Sequence, residues 1–547
     1  MSDTLYTIGL DYGSLSCRGV LAALDGSVAA EAELAYPHGI LEHALPDGTK
    51  LTGSWYLQHP ADYVQALETV VPALLQQSGV SPEQVAGIGV DFTASTVLPV
   101  DAAFRPLCLD AAFAGRPHAW CKLWKHHGAT AQAERLTALC REQGVDLALY
   151  GGRISPECLA AKVLQVYEED RAVFDAADAF MEAGDYIVSL LAGKPVISAS
   201  MAAAKALWSK AGYAGVLGDL PRRCLADRWG VTPLSPGTLA GTLCPPMARR
   251  LGLRPGIALT PAQMDGYTPM AALGIRAPGQ AMLVIGTSTA FMLLSDARRP
   301  VQGVTACLPD TYYPGLWGYA SGQASVGDCF QWFADNGLPE DYARAAREAG
   351  LTPQAYLSQL AAGLAPGEAG LLALDWFNGN KSPLANSRLS GLMLGLTLQT
   401  RPEHVFRALL EATAFGARAI LEAYEQAGVR VQSLAACGGI AGKNPLMMQI
   451  YADVLGKPLR VSRCRQAPAL GAAIHAAAAA GEATGFSDIF AAVDAMHCRD
   501  FIQYIPDPAA GAVYDALYRE YKALSDHFGR GGNGVMERLK GIAETGY

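Results

Sequence analysis

The chain has 547 residues and a mass of 57.6 kDa, which is more than one hydrophobic core usually holds, so two domains of roughly 200–250 residues are expected. Hydrophobic residues make up 51% and charged residues 17%, and this balance excludes a disordered or fibrous chain and favours a globular α/β protein. The formal net charge is −9 and no block of five or six basic residues occurs, which argues against nucleic acid and anionic membranes as partners.

The 12 cysteines favour reduced thiols over a disulfide framework. They are scattered from Cys17 to Cys498 without a CxxC pair, and the N-terminus carries no signal peptide pattern. The longest run of small apolar residues, from Ala469 to Gly481, is shorter than the roughly 20 residues of a membrane-spanning helix and contains His475. We therefore expect a cytoplasmic protein without a membrane segment.

The first predicted elements form a β-meander. Two strands, over YTIGLDYG and CRGVLAALDG, are joined by a turn at Gly13-Ser14, and a hairpin at Asp25-Gly26 leads to a third strand. A helix from about Pro60 to Gln77 follows, and then the buried strand VAGIGVDF, which is expected to end at Asp91. Strands followed by a helix and another strand predict an α/β layer.

The second half repeats this order. Residues Gln280 to Asp296 predict strand, glycine-hydroxyl turn and strand, and a helix from about Pro402 to Gly428 precedes the strand and glycines of SLAACGGIAG. Repetition of the order predicts a duplicated fold with a boundary near Pro255 to Pro261. We expect domains at 1–258 and 259–500 and a helical extension at 501–547. One face of the last helix is predicted to pack on the body through Val513, Leu517, Tyr518, Tyr521 and Leu524.

Two turns have the composition of a phosphate-binding turn. Backbone N–H groups in a glycine-hydroxyl turn can converge on an anion, and the turn at Gly13-Ser14 and the turn from Gly286 to Thr289 both have this character. A single such turn often serves hairpin geometry alone. Asp11, on the first strand, is either a cap of the following turn or a carboxylate that holds Mg²⁺ beside phosphates.

The common nucleotide-binding loops are absent from the sequence. The segment CGGIAGKN departs from the P-loop pattern because Cys437 replaces the first glycine and Asn444 replaces Ser or Thr. No GxGxxG motif follows a predicted strand. A nucleotide therefore requires a different kind of site.

With these turns, the duplicated plan and CGGIAGKNP, the chain resembles the FGGY family of sugar kinases in the actin-like ATPase superfamily. The segment SGLMLGLTLQTRPEHVFRALLEATAF is similar to the family's second signature through Gly391, Gly395, His404, Ala408 and Glu411. The segments LWKHHGA, GIGVDFTASTVLPVD, VIGTSTAFML and LDWFNGNKSP resemble the members that act on ketopentoses. The likeness extends over nearly the whole chain.

The resemblance implies two duplicated actin-like (ribonuclease H-like) ATPase domains with a cleft between them. It implies transfer of the γ-phosphoryl group of ATP, with Mg²⁺, to a hydroxyl of a ketopentose. The expected sugar is L- or D-ribulose, phosphorylated at C5. The first domain is expected to bind the sugar and the second to bind ATP. A homodimer is compatible with this resemblance.

The resemblance also assigns site residues. Asp265, which by itself is typical of a turn before glycine, matches the family's catalytic base. Asp11 is expected at the metal. The expected sugar contacts are Ala94, Ser95, Lys125, Lys205 and Asp265. The expected ATP contacts are Gly13, Ser14, Arg18, Gly286, Thr287, Ser288, Gly438, Gly439 and Asn444.

One departure leaves the substrate open. Related ketopentose kinases carry a glutamate in the segment GYASGQASVGD, where this chain has Ala320. A kinase for xylulose, ribitol, arabinitol or another polyol is therefore an alternative. A non-catalytic sugar-responsive regulator and a partner-moving actin-like ATPase are further alternatives, although Asp11 and Asp265 are both present. His126 and His127 lack the spacing of two metal ligands and are expected to line the site or the surface.

Overall fold

Strands and helices alternate through the computed structural model, which describes residues 4–51, 53–218 and 229–545. The strands are β1 (Tyr6–Tyr12), β2 (Ser16–Ala23), β3 (Val28–Ala35), β4 (Leu57–Gln58), β5 (Val85–Phe92), β6 (Val97–Val100), β7 (Cys121–Lys122), β8 (Ala179–Glu182), β9 (Trp208–Ser209), β10 (Gly212–Tyr213), β11 (Gly241–Thr242), β12 (Ala258–Leu259), β13 (Gln263–Met264), β14 (Gln280–Ile285), β15 (Thr289–Ser295), β16 (Ala306–Pro309), β17 (Trp317–Gln323), β18 (Leu372–Leu374), β19 (Leu392–Leu394), β20 (Ser433–Cys437), β21 (Leu459–Ser462) and β22 (Phe501–Tyr504).

The α-helices are α1 (Pro60–Ser78), α2 (Thr130–Glu142), α3 (Leu159–Glu169), α4 (Arg171–Ala176), α5 (Ala183–Ala192), α6 (Ala199–Lys205), α7 (Pro245–Leu251), α8 (Pro269–Ala272), α9 (Gly327–Asn336), α10 (Glu340–Glu348), α11 (Pro353–Ala362), α12 (Pro402–Gln426), α13 (Pro445–Leu455), α14 (Ala467–Ala479), α15 (Gly481–Thr484), α16 (Ile489–Met496), α17 (Pro508–Gly529) and α18 (Val535–Thr545). Short 3₁₀ turns lie at Pro82–Gln84, Leu107–Leu109, Pro117–Ala119, Leu147–Tyr150 and Gly215–Leu217.

The chain folds into two compact units. The first comprises Met1–Arg276, Leu308–Gly318 and Cys464–Cys498, and the second comprises Ala277–Cys307, Tyr319–Arg463 and Arg499–Tyr547. Each unit is therefore built from three separate stretches of sequence. The limits expected from the sequence, at residues 258 and 500, stay predictions of domain organisation.

A seven-stranded sheet lies at the centre of the first unit. Its order is β11-β12-β5-β1-β2-β3, and β13 also pairs with β5. The first three strands form the predicted antiparallel meander, whereas β5 runs parallel to β1, and β12 and β13 run parallel to β5. Helix α1 begins after the N-cap His59 with proline at its first position and ends at Gly79, whose φ of 67° suits a left-handed cap. The predicted meander, helix and strand are confirmed.

Helix α14 packs on this sheet at glycines. A Cβ atom on Gly9 would lie 1.8 Å from the carbonyl oxygen of Ala469, and one on Gly89 would lie 2.0 Å from that of Ala472. The Thr7 hydroxyl donates a hydrogen bond of 2.9 Å to the carbonyl of Ala473. Glycine is required at both strand positions because the helix backbone occupies the space that a side chain would fill.

The second sheet repeats the order of the first. It runs β16-β17-β15-β14-β20-β21-β22, with β14 antiparallel to β15 and parallel to β20, β20 parallel to β21, and β21 antiparallel to β22. The first sheet has the same order and strand directions over five strands. In the order of the second sheet, the strands that correspond to β15, β14, β20, β21 and β22 are β2, β1, β5, β12 and β11. The predicted duplication is therefore confirmed at the level of strand order.

The C-terminal helix α17 packs within the second unit, as predicted, but on a different set of side chains. Tyr514, Tyr518 and Tyr521 are buried, whereas Val513 is 40% exposed. The Tyr521 hydroxyl donates a hydrogen bond of 2.7 Å to buried Asp375. The prediction for Val513 was wrong because the buried face of the helix runs through Tyr514, Tyr518 and Tyr521, and Val513 is turned about 100° from Tyr514 around the helix axis.

A smaller four-stranded sheet, in the order β4-β7-β6-β8, belongs to the first unit. Strand β6 follows β5 after a short turn and pairs antiparallel with β8, with Val97 opposite Glu182. This sheet therefore fixes the turn at residues 93–96. Across the described ranges, none of the helices combines the length and apolar character needed to cross a membrane. Among the cysteines of those ranges, free thiols include Cys17, Cys108, Cys121, Cys140, Cys158, Cys244, Cys329 and Cys437.

Candidate active site

Three aspartates lie at the carboxyl ends of adjacent parallel strands in the first unit. Asp11 on β1 is in register with Asp91 on β5, and β13 beside β5 ends at Met264, directly before Asp265. The Asp265 N–H donates a hydrogen bond of 3.0 Å to the carbonyl of Phe92. Parallel strands end at one edge of a sheet, which is where α/β proteins bind their ligands. The fold therefore gathers three carboxyl groups that are far apart in sequence.

Burial makes this cluster unfavourable for negative charge. It raises the pKa of Asp91 well above its usual value, and the charges of Asp11 and Asp265 raise it further. Burial and then the charge of Asp11 raise the pKa of Asp265 to about 7. Burial also raises the pKa of Asp11, although Arg18, whose Nη1 lies 3.7 Å from an Asp11 carboxylate oxygen, opposes this. Three such groups repel one another unless a proton or a cation neutralises them.

The chemistry of these side chains suits a magnesium ion. All three residues offer carboxylate oxygens, which hard divalent cations prefer, and both oxygens of fully buried Asp91 lack a hydrogen-bond partner. Among the described residues the three do not form a group in which one ligand atom of each lies within 4.8 Å of the others, so Asp11 and Asp91 could hold the ion with water completing its contacts. Asp91 was missed as a site residue in the sequence, although it is an acid at the end of an otherwise apolar strand, which is the pattern that singled out Asp11.

The turn that follows Asp11 is held in place by neighbouring side chains. The Gly13 N–H donates to the carbonyl of Ser16 (3.0 Å) and closes the turn. The Ser14 hydroxyl accepts a hydrogen bond of 3.0 Å from the Trp124 indole, and its carbonyl accepts one of 2.8 Å from the Gln58 amide. Arg18 lies opposite Asp11 in the register and bonds Glu33 at 3.1 Å. The turn is therefore ordered beside the carboxylate cluster.

Lys205, at the end of α6, acts electrostatically on Asp265. Burial raises the pKa of Asp265 and that of the neighbouring Tyr267, and the charge of Lys205 opposes this rise in both. The pKa of Lys205 itself is raised, because the nearby carboxylates Glu157 and Glu182 outweigh the opposing effect of burial. Lys205 thus supplies a positive charge beside the predicted base.

The other predicted sugar contacts have different surroundings. Ala94 is half-buried, whereas the side chain of Ser95 is fully buried. Lys125 lies 3.3 Å from a Glu42 carboxylate oxygen and 4.4 Å from the centre of the Tyr56 ring. The roles of Ala94, Ser95 and Lys125 stay predictions.

The predicted second phosphate turn, in the second unit, is braced by the start of α9. The N–H groups of Val326 and Gly327 donate to the carbonyls of Thr287 (2.9 Å) and Gly286 (3.0 Å). A Cβ on Gly327 would lie 2.8 Å from the Gly286 oxygen, so this position requires glycine. The Thr287 and Ser288 side chains remain exposed. The turn is thus rigid in its backbone and open on its hydroxyl side.

The predicted adenosine residues divide into open glycines and a helix cap. Gly438 has a φ of 104°, which favours glycine, and no atom lies within 4 Å of a Cβ placed on Gly439. The Asn444 side chain accepts the Met447 N–H at 3.0 Å as the N-cap of α13, and its amide donates to the Ser358 hydroxyl at 3.1 Å. Asn444 therefore has a structural role in addition to any contact with a nucleotide.

Two other groups singled out in the sequence have structural partners. His126 is fully buried, with Nε2 3.1 Å from the Gln165 side-chain oxygen, whereas His127 is exposed beside Glu157. In the signature helix α12, buried Glu411 accepts a hydrogen bond of 2.8 Å from Arg407. Arg407 also donates to the Tyr514 hydroxyl at 2.6 Å, so this part of the signature anchors α17.

Comparison with known proteins identifies the family of the chain. Residues 6–209 match the N-terminal domain, and residues 281–480 the C-terminal domain, of the FGGY family of carbohydrate kinases. A ribulokinase of Halalkalibacterium halodurans is 45% identical over 553 residues, which cover 98% of each chain. A ribulokinase of Mycolicibacterium smegmatis is 42% identical over 544 residues, which cover 98% of this chain and 96% of the relative.

Solved structures give the same fold. The xylulose kinase of Rhodospirillum rubrum superposes with a TM-score of 0.77 at 25% identity, covering 95% of this chain and 98% of that one. The gluconate kinase of Lactobacillus acidophilus superposes with a TM-score of 0.78 at 18% identity, covering 96% and 99%. The expected fold class, two α/β domains of the sugar-kinase type, is confirmed. The chain belongs to the FGGY family of carbohydrate kinases and is a sugar kinase.

Proposed function

We propose that this kinase transfers the γ-phosphoryl group of MgATP to a hydroxyl of a ketopentose, with L- or D-ribulose as the sugar and ribulose 5-phosphate as the product. The observation that carries the proposal is the carboxylate cluster, in which Asp11, Asp91 and Asp265 stand at the ends of adjacent parallel strands. Similarity to ribulokinases over 98% of the chain supports the choice of sugar.

In this proposal Asp265 is the general base. The sugar hydroxyl loses its proton to the Asp265 carboxylate while its oxygen bonds to the γ-phosphorus, and the bond to the β–γ bridging oxygen breaks to release ADP. A pKa of about 7 suits this task, since the carboxyl group is then partly ionised and still basic at neutral pH. The Gly266 N–H, which donates to one Asp265 oxygen at 2.7 Å, fixes the orientation of the base.

Charge neutralisation is divided among several groups. Bound Mg²⁺ supplies positive charge to the phosphates of ATP. Asp11 and Asp91 are proposed to hold it, and Arg18 is proposed to face the γ-phosphate. Lys205 is proposed to orient the sugar next to Asp265. Gly13, Ser14, Gly286, Thr287, Ser288, Gly438, Gly439 and Asn444 are the proposed ATP contacts.

One residue supports a second candidate within the same class. The resemblance implies a glutamate in the segment where this chain has Ala320, and if that acid accepts hydrogen bonds from the sugar, this chain lacks the acceptor. Sites that bind hydroxyls through buried acceptors discriminate strongly between sugars. A kinase for xylulose, ribitol, arabinitol or another polyol is therefore the second candidate.

A coupled ADP-release assay with MgATP tests these candidates. The panel is L- and D-ribulose, L- and D-xylulose, ribitol, L-arabinitol and glycerol. Turnover on ribulose that exceeds the other sugars supports the first candidate, and preference for another sugar supports the second. ATP binding without turnover on any sugar would leave a non-catalytic regulator. The variant Asp265→Asn tests the proposed base in the same assay. Its control is Asp170→Asn, which alters a buried carboxylate paired with Arg116.

A further inference from the structure

The turn after β5 contains a strained residue. Ser95 has a φ of 66°, in the left-handed region that residues with a side chain rarely adopt. Its side chain is fully buried, and its hydroxyl has no hydrogen-bond partner. The Ser95 hydroxyl therefore makes no hydrogen bond that offsets the cost of the left-handed backbone conformation. Such a conformation persists only when the surrounding structure imposes it.

Lys162 holds this turn from one side. The Lys162 side chain is fully buried, and Nζ donates to the carbonyl of Ser95 at 2.5 Å and to that of Leu123 at 2.8 Å. A buried ammonium group is costly unless it is hydrogen-bonded and compensated by charge. The lysine thus joins two loops, one containing Ala94 and the other leading to Lys125.

Glu182 holds the turn from the other side. It is 3% exposed at the end of β8, and one carboxylate oxygen accepts the Thr96 N–H at 3.1 Å. The Ala183 N–H next to it donates to the Thr96 carbonyl at 2.7 Å. The charges of Lys162 and Lys205 both act on this carboxylate and oppose the rise in its pKa that burial causes. Glu182 therefore holds the Thr96 end of the strained turn.

We propose that Lys162 and Glu182 are positioning residues for the sugar site, which set the backbone of the Ala94–Ser95 turn. The inference rests on the proposed function, because Ala94 is a sugar contact only there. Neither residue touches the substrate. Ala94, the half-buried residue of the turn, is the part presented to the sugar.

A purely structural role makes a different prediction. Lys162 and Glu182 carry opposite charges, and each hydrogen-bonds the backbone of the turn. Removal of one of two buried opposite charges is strongly destabilising, whereas removal of both costs less stability. If the pair served stability alone, a double apolar replacement would restore both folding and sugar affinity. If it positions the turn, folding recovers and sugar affinity does not.

The variants are Glu182→Leu, Glu182→Gln, Lys162→Met and the double variant Glu182→Leu/Lys162→Met. Glutamine keeps an acceptor for the Thr96 N–H and is the conservative rescue. Asp62→Asn is the matched control, since Asp62 is 2% exposed and accepts the His38 N–H at 3.1 Å elsewhere in the same unit.

We expect the double variant to melt near the wild type and to raise KM for the sugar about tenfold, since a small misplacement of positioning groups has effects of this order or larger. KM for ATP should stay within about twofold, and Glu182→Gln should stay close to the wild type in both constants. An unchanged sugar KM in the double variant overturns the proposal.

Hydrogen exchange separates this inference from the proposed function. The Thr96 amide should exchange about tenfold faster in Glu182→Leu than in the wild type, and Asp62→Asn should leave it unchanged. If the wild type phosphorylates no sugar on the panel, the proposed function is wrong. If the exchange rate of the Thr96 amide is unchanged in Glu182→Leu, the proposal that Lys162 and Glu182 position the turn is wrong as well.

Discussion

Replacement of Gly89 by alanine tests how α14 is seated on the first sheet. The new Cβ would lie 2.0 Å from the Ala472 carbonyl oxygen and 2.8 Å from its carbon. Moving the oxygen to the 3.4 Å at which ordinary contact begins requires a shift of about 1.4 Å. Both partners are backbone, in a strand and a helix, so no side-chain rotation can relieve the clash.

Overpacking of this kind costs about 1–3 kcal/mol, and we expect Gly89→Ala to lie at the upper end of that range. Urea unfolding and thermal melting measure the loss. Gly215→Ala is the control, because no atom lies within 4 Å of a Cβ at that position. Activity should fall in addition, since Asp91 follows two residues later on the same face of β5.

The neighbouring Gly9 gives a sharper version of the experiment. Gly9 and Gly89 are in register on β1 and β5, and both lie beneath α14. One displacement of the helix relieves both clashes, so the double variant Gly9→Ala/Gly89→Ala should cost less than the sum of the single variants. A change below about 0.5 kcal/mol in Gly89→Ala, or strict additivity, would refute the steric argument.

Four other outcomes are expected. Asp265→Asn should lower kcat about 10³-fold while calorimetry still detects ATP and sugar binding; normal turnover would remove Asp265 as the base. Mg²⁺ alone should raise the melting temperature of the wild type but not of Asp91→Asn, and an equal rise in both would exclude Asp91 from the metal site. Burial, and then the charge of Lys122, lowers the pKa of His126 to about 2, so its contribution to stability is present above the unfolded pKa of about 6.5 and declines by about 1.4 kcal/mol per pH unit below it. His126→Gln should flatten urea-derived stability against pH between 6.5 and 5 by that amount, and an unchanged slope would contradict it. Asn444→Ala should lower the free energy of unfolding by about 1 kcal/mol through loss of the α13 cap, whatever its effect on ATP affinity.

The elements that could be predicted from the sequence are those with local signals. The meander, α1 and the repeated strand order follow from turn residues and hydrophobic periodicity within short windows. Asp91 carried the same local signal as Asp11, an acid at the end of an apolar strand, but its place opposite Asp11, 80 positions away in the chain, follows only from the strand register. Lys162 and Glu182 carry no local signal either, since their partners lie in the turn after β5.

The role of Asn444 shows a different limit. A resemblance to a family assigns a residue to a ligand, but it does not predict the hydrogen bonds that the residue makes within the folded chain. The Asn-Pro pair before a helical pattern is typical of an N-cap and would have predicted this contact from local chemistry.

The contacts of α14 with the first sheet also define the direction in which this helix runs. Ala473 contacts Thr7 and Ala469 contacts Gly9, so the helix advances toward its first residue as β1 advances toward Asp11. Helix N-termini carry about half a positive charge from unpaired N–H groups, and the N-cap Gln466 makes no side-chain hydrogen bond to them. The peptide dipoles of α14 therefore point their positive end toward Asp11 and Asp91. Because Gly9 and Gly89 have no side chains, α14 can lie close to the strands, and its dipole then contributes a fixed electric field at the two acids.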